Sequence, residues 1–97
     1  MKVEWTREAI ADRESIYNYI EADNPRAAFE LDEQLSRRAD QLAAHPMIGR
    51  VGRVPFTREL VVRPDYLLIY DIDGGTLRIL RVLHAAQQWP PEKTRSL

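Results

Sequence analysis

The sequence predicts an α+β domain in which a helix hairpin covers one face of a small twisted antiparallel sheet. Three observations carry this. Two long amphipathic stretches stand side by side in the first half, separated only by Ala22-Asp23-Asn24. The second half changes period to apolar, β-prone runs separated by turn signals. A short apolar–polar–apolar stretch, Val3-Glu4-Trp5, precedes the helices. A block of helices followed by a block of strands is the α+β pattern, here in the order β-α-α-β-β-β.

Val3-Glu4-Trp5 is the first strand. Thr6 then suits an N-cap, with Glu8 in the first turn to complement the helix dipole. The first helix runs from about Arg7 to Glu21, with Ala9, Ile16, Tyr17 and Ile20 on one stripe. Arg13 shares that stripe and must snorkel or find a partner. Asn24 is a good N-cap and Pro25 a good first helical residue, so the second helix starts there and runs to about Ala44. Ala28, Leu31, Leu35 and Leu42 form its apolar stripe, with Phe29 and Ala39 beside it. His45-Pro46 ends it, because a residue before proline avoids helical geometry. The link between the helices is so short that they must pack as an antiparallel hairpin.

Met47 to Pro55 holds two glycines and a proline and is predicted to be a loop. Arg58 to Val62 is predicted to be a strand, broken by Pro64-Asp65. Tyr66-Leu67-Leu68-Ile69-Tyr70-Asp71-Ile72 is the next. Asp73-Gly74-Gly75 is a hairpin signal. Thr76 to His84 is the last strand, central and largely buried. Trp5 is assigned to the core, and Trp89, just before Pro90-Pro91, either folds back onto the sheet or anchors a partner. The face of the sheet away from the helices, or a groove at its edge, is left for partners.

A chain of 97 residues holds one small domain, assigned to residues 1–91, with residues 92–97 as a flexible C-terminal tail. There is no cysteine, which excludes disulfides and thiolate metal sites. No apolar run reaches the ~18 residues a membrane helix needs. Met1-Lys2-Val3-Glu4-Trp5 lacks the apolar segment of a signal peptide, so the expected location is cytoplasmic and no membrane partner is expected. The net charge of −1 hides a division. Residues 1–43 carry six Lys/Arg against ten Asp/Glu, and residues 44–97 carry eight against five. The basic excess is densest from Arg50 to Arg63, where Arg50, Arg53, Arg58 and Arg63 face Glu59 alone. This is either a local anion-facing surface or a basic sheet that neutralises acidic helices.

Familiar chemistries lack their residues. There is no Gly-rich phosphate loop, no HExxH and no nucleophile elbow around Ser15, Ser36 or Ser96. The only histidines are His45 and His84, so neither a metal site nor a cofactor is expected. His45 suits a helix C-terminus, where a cation is favoured. What remains is the cations. Arg58 and Arg63 bracket one strand, while Arg78, Arg81 and His84 lie on another. Cleaving RNA through its own 2′-OH needs a base, an acid and a cation at the phosphate. Arg58, Arg63, Arg81 and His84 are the candidate catalytic set for it. The alternative for each arginine is a solvated strand face or a pairing with helix carboxylates. The alternative for His84 is a structural cap on the sheet. Tyr66 and Tyr70 share a face and either stack on a base or belong to the core.

The residues in this order resemble the RelE/ParE toxin superfamily. The resemblance is carried by Asp23-Asn24-Pro25-Arg26-Ala27-Ala28 between the helices and His45-Pro46-Met47-Ile48-Gly49-Arg50 after them. It continues in Arg58-Glu59-Leu60, Tyr66-Leu67-Leu68-Ile69-Tyr70 and Arg81-Val82-Leu83-His84-Ala85-Ala86-Gln87-Gln88-Trp89-Pro90. It implies the toxin of a bacterial type II toxin–antitoxin pair, neutralised by a cognate antitoxin that also binds operator DNA. RelE-type members cut mRNA on the ribosome with Lys and Arg residues plus a late Tyr or His. ParE-type members lack that cationic set and block DNA gyrase. Here Leu67 follows Tyr66 where RelE-type members commonly place a base. Leu60 stands where a second base is expected, and Ala85-Ala86 follow His84. These departures, with a pI near 6.1, lean toward the ParE type. A non-toxic antitoxin-binding module is the third alternative.

Overall fold

A computed structural model describes residues 1–87 and 89–90; the tail expected over residues 92–97 lies outside them. The chain forms β1 (Lys2–Trp5), α1 (Arg7–Glu21), α2 (Pro25–Ala44), β2 (Arg50–Val51), β3 (Thr57–Arg63), β4 (Tyr66–Asp73) and β5 (Thr76–His84).

The helix boundaries follow their capping chemistry. The Thr6 hydroxyl accepts the Ala9 amide at 3.1 Å and starts α1. The Asn24 side chain accepts the Ala27 amide at 3.1 Å and starts α2, with Pro25 in its first turn. His45 caps the end of α2 before Pro46. Arg13, on the buried stripe of α1, finds its partner in Asp32 of α2 at 2.8 Å and lies over the Trp5 ring at 4.5 Å.

The five strands form one sheet in the order β1-β5-β4-β3-β2. Strands β2 to β5 pair antiparallel, as expected, but β1 runs parallel to β5, from Lys2↔Thr76 to Trp5↔Ile79. The sheet is therefore mixed. Parallel neighbours need a long crossover, and here both helices and three strands intervene. The extra strand β2 lies inside the predicted loop. It has only two residues, both exposed, so it carries no alternation for periodicity to detect.

Ala9, Leu31, Leu35, Ala39 and Leu42 pack against Leu60, Tyr66, Leu68, Tyr70, Leu77, Ile79 and Val82 to form the core. All of these sheet residues lie on the helix side. Strand alternation sends Glu59, Ile69 and Arg81, which are register partners, to the opposite face. Two irregularities adjust this pattern, between Val61 and Arg63 in β3 and opposite Ile69/Tyr70, where Leu80 is the extra residue in β5.

Candidate functional site

Strand order decides how the predicted cations meet. β4 lies between β3 and β5, so the Arg58–Arg63 strand and the Arg81–His84 strand are not neighbours. Arg63, Tyr66 and His84 are register partners across β3, β4 and β5 and form a row on the helix side of one sheet end. The His84 ring meets the Tyr66 ring edge-on, with centroids 5.2 Å apart and planes at 85°. His84 Nδ1 accepts the Ala86 amide at 3.1 Å, which leaves Nε2 to carry the proton. Arg63 Nε donates to Gln34 Oε1 of α2 at 2.5 Å. Burial pushes the Tyr66 hydroxyl above its ordinary pKa, with Asp65 adding to the shift.

Arg58 stands apart from this row. It is five residues from Arg63 along β3, roughly 16 Å at the usual strand rise. Its guanidinium donates to the Gly49 carbonyl at 2.7 Å. Arg81 stands apart as well, on the opposite face. It reaches round the sheet edge to Asp12 of α1, with Nε–Oδ2 at 2.7 Å and Nη2–Oδ1 at 3.0 Å. Hydrogen bonding to Asp12 raises the Arg81 pKa further and keeps the guanidinium charged. The Trp89 ring lies beside the same guanidinium at 5.8 Å. The structure thus brings Arg63 and His84 to one end of the sheet and places Arg58 and Arg81 elsewhere.

Other arginines are also occupied. Arg78 holds Asp71 through two hydrogen bonds at 2.9 and 2.6 Å. Arg50 donates twice to Oε1 of Glu59, whose side chain is buried. The reading of a basic sheet neutralised by carboxylates therefore describes much of the cluster, although among Arg50, Arg78 and Arg81 only Arg81 takes its carboxylate from a helix. Tyr70 is core, at 0 % exposure, and so is Tyr66 at 8 %. Neither offers a ring face for stacking. The Tyr70 hydroxyl donates to the Pro46 carbonyl at 2.7 Å and accepts the Gly49 amide at 3.0 Å, which pins the chain leaving α2 to the sheet.

Asp12 is the residue that sequence reasoning passed over. Its signal was available. It lies three residues after Ala9 and four before Ile16, on the buried stripe of α1, where a carboxylate needs a partner.

Two surface features remain. A cleft of about 400 Å³ is lined by Trp5, Ile10, Arg13, Tyr17, Asn18 and Asp32. At the β2 end, Met47, Val51 and Phe56 are 64 %, 77 % and 97 % exposed and border a second cleft of about 290 Å³. No described helix is long and apolar enough to cross a membrane.

Residues 3–89 match the family model for the ParE toxin of the type II toxin–antitoxin system parDE. The chain is 40 % identical over 90 residues to Y4kP of Sinorhizobium fredii, covering 92 % of this chain and 93 % of that one. It is 40 % identical over 86 residues to toxin RelE2 of Caulobacter vibrioides, covering 89 % and 97 %. Among solved structures, a chain of the chromosomal ParDE system from P. aeruginosa superposes with a TM-score of 0.78 at 26 % identity, covering 87 % of this chain and 95 % of that one. The YoeB/ParE toxin from Agrobacterium tumefaciens shares the fold, with a TM-score of 0.62 at 15 % identity over 87 % and 98 % of the two chains.

Proposed function

The chain belongs to the ParE toxin family of type II toxin–antitoxin systems, and from that premise we propose that it arrests growth by binding a protein target rather than by cutting RNA. DNA gyrase is the target this reading names. The observation that carries it is the two-point pairing of Arg81 with Asp12. A guanidinium whose Nε/Nη2 fork already holds a carboxylate has its charge offset and that fork filled, which makes it a poor grip for a phosphate. With Arg58 bound to a main-chain carbonyl at the other end of β3, no cationic set converges on one point.

The toxin acts in the cytoplasm and is neutralised by a cognate antitoxin in a hetero-oligomer, with operator DNA reached only through that partner. The acidic helices steer basic antitoxin segments towards the hairpin. The cleft bordered by Trp5, Ile10 and Tyr17 offers an apolar seat for one of them.

The test is inducible expression with and without the antitoxin gene, reading growth, mRNA integrity and DNA damage together, followed by a supercoiling assay with purified gyrase. The expected outcome is growth arrest with DNA damage, intact mRNA and loss of supercoiling. A second reading, a RelE-like ribosome-dependent endoribonuclease, is favoured by one observation: the Arg63–Tyr66–His84 row at an open sheet end. Cleaved mRNA with unimpaired supercoiling selects it. Harmless expression without the antitoxin selects a non-toxic binding module.

A further inference from the structure

The arginines of this chain differ in what they hold. Arg13, Arg50, Arg78 and Arg81 each hold a carboxylate. Arg38 and Arg63 hold neutral groups. Arg63 Nε donates to Gln34 Oε1 at 2.5 Å. Arg38 donates to Gln41 Oε1 at 2.5 Å and to the Val61 carbonyl at 3.0 Å. Arg37, beside Arg38 on α2, meets Glu33 only loosely on the surface, at 3.8 Å. A carboxylate offsets the charge of a guanidinium, whereas an amide or carbonyl oxygen leaves it in place. These three cations therefore keep their field. Among the described residues, Glu33 is the one carboxylate paired with any of them.

The three meet on one surface. Gln34, Arg37, Arg38 and Gln41 stand at i, i+3, i+4 and i+7, so they form a stripe on a single face of α2. They line a cleft of about 220 Å³ together with Val62 of β3, and the bond from Arg63 to Gln34 brings a third guanidinium to it. β2 pairs with β3 no further than Glu59, and beyond it Val61 is 44 % exposed. The acidic half of the chain thus carries a basic stripe along its second helix.

We infer that this stripe is a second seat for the antitoxin and that it takes an acidic segment of that partner. Charge and continuity choose the occupant. Carboxylates form stronger, charge-assisted bonds with guanidinium forks than the amides of Gln34 and Gln41 do, so an arriving acid displaces those amides. The cleft bordered by Trp5 and Tyr17 includes Asp32 of α2, two residues before Gln34 and on the other side of the helix. A helix is only about 10 Å across, so one chain draped over α2 reaches both clefts. The first is lined by Glu14 and by the Arg13–Asp32 pair, which leaves it net negative and suited to a basic segment. The second suits an acidic one. Opposite charges at the two seats fix the direction in which the antitoxin crosses the hairpin. This inference rests on the antitoxin seat proposed above.

Gln34→Glu combined with Gln41→Glu tests it, because each change turns an amide into an acid of the same shape where the antitoxin would bring one. Arg63 and Arg38 gain charged partners, so the double variant melts at the same temperature or higher. It arrests growth without antitoxin as before. Purified antitoxin binds it roughly tenfold more weakly at low salt, the loss expected for two exposed ion pairs, and the gap closes at high salt. Equal affinity at low salt overturns the inference. So does a loss that high salt leaves unchanged. Growth arrest that disappears while antitoxin binding holds also overturns it, and assigns the stripe to the target. Ile10→Glu, at a residue 54 % exposed in the first cleft, reports on that seat alone. If it leaves antitoxin binding unchanged while the glutamine variant weakens it, the first seat and the direction of crossing fall, and the acidic segment on α2 stands.

Discussion

Asp12 of α1 and Arg81 of β5 lock the helix hairpin to the sheet at a point where β5 has no neighbour on the edge away from β4. The pairing of β1 with β5 ends at Trp5↔Ile79, which leaves the Val82 amide without a strand partner. Asp12 Oδ2 accepts that amide at 2.9 Å while both its oxygens hold Arg81. One carboxylate therefore replaces a missing strand bond and neutralises a cation.

Replacing Asp12 removes both contacts together. Asp12→Ala is expected to cost about 2–3 kcal/mol, because it leaves a half-buried cation and a main-chain amide unmatched. In a domain of this size that lowers the melting temperature by roughly 10 °C or more. Asp12→Asn, which still accepts from Val82, should lose less. Circular dichroism melts of the two variants separate the charge from the hydrogen bond.

Tyr70 predicts an alkaline limit to stability. Burial raises its pKa above the ordinary value near 10, although the Gly49 hydrogen bond and Arg58 act in the other direction. A raised folded-state pKa means that the folded chain holds its proton when the unfolded chain releases it. The stabilisation is complete below the unfolded pKa and is lost as pH rises through the folded one. Denaturant midpoints should therefore stay level through neutral pH and fall above about pH 10. Tyr66, raised by burial and by Asp65, adds to the fall. Tyr70→Phe should flatten the alkaline slope while lowering stability at pH 7, since it strips partners from Pro46 and Gly49.

Gly49 has no room for a side chain. A Cβ there would stand 2.6 Å from the Tyr70 hydroxyl and 2.9 Å from the Glu59 carbonyl, and the main-chain atom cannot give way. Gly49→Ala is expected to destabilise by about 1–3 kcal/mol through overpacking. The same measurement on Gly75→Ala, where nothing lies within 4 Å, serves as the contrast and should show little change.

His84→Gln and Arg63→Gln separate the two toxin readings. Under the protein-target reading both variants fold and still arrest growth in the absence of antitoxin. Under the nuclease reading both lose mRNA cleavage and toxicity while the melting temperature holds. Growth curves with RNA blots from the same cultures decide between them.

The helices were legible because their signals are local. Thr6, Asn24 with Pro25, and His45 with Pro46 each act within one turn of their own position. The Asp73-Gly74-Gly75 turn was legible for the same reason, with Gly74 in the left-handed region at φ 61°. The parallel placement of β1 was not, because nothing in Val3-Glu4-Trp5 names a partner more than seventy residues away. Which of the cations meet was hidden for a related reason. Strand order and register leave Arg63 and His84 in one row with Tyr66 and set Arg58 and Arg81 apart from it, and order depends on which edges meet rather than on any single strand's composition. The exposure of Phe56 was hidden because an aromatic residue in a loop normally reads as a candidate for the core.

The pairing of the first strand with the last sets when the sheet can close. Lys2–Trp5 are made before the strand they join, Thr76–Ile79. At about 5–20 residues per second, β1 waits for several seconds with its hydrogen bonds unmade. A partly made chain is thus an incomplete sheet, and β1 finds its place only once β5 has emerged.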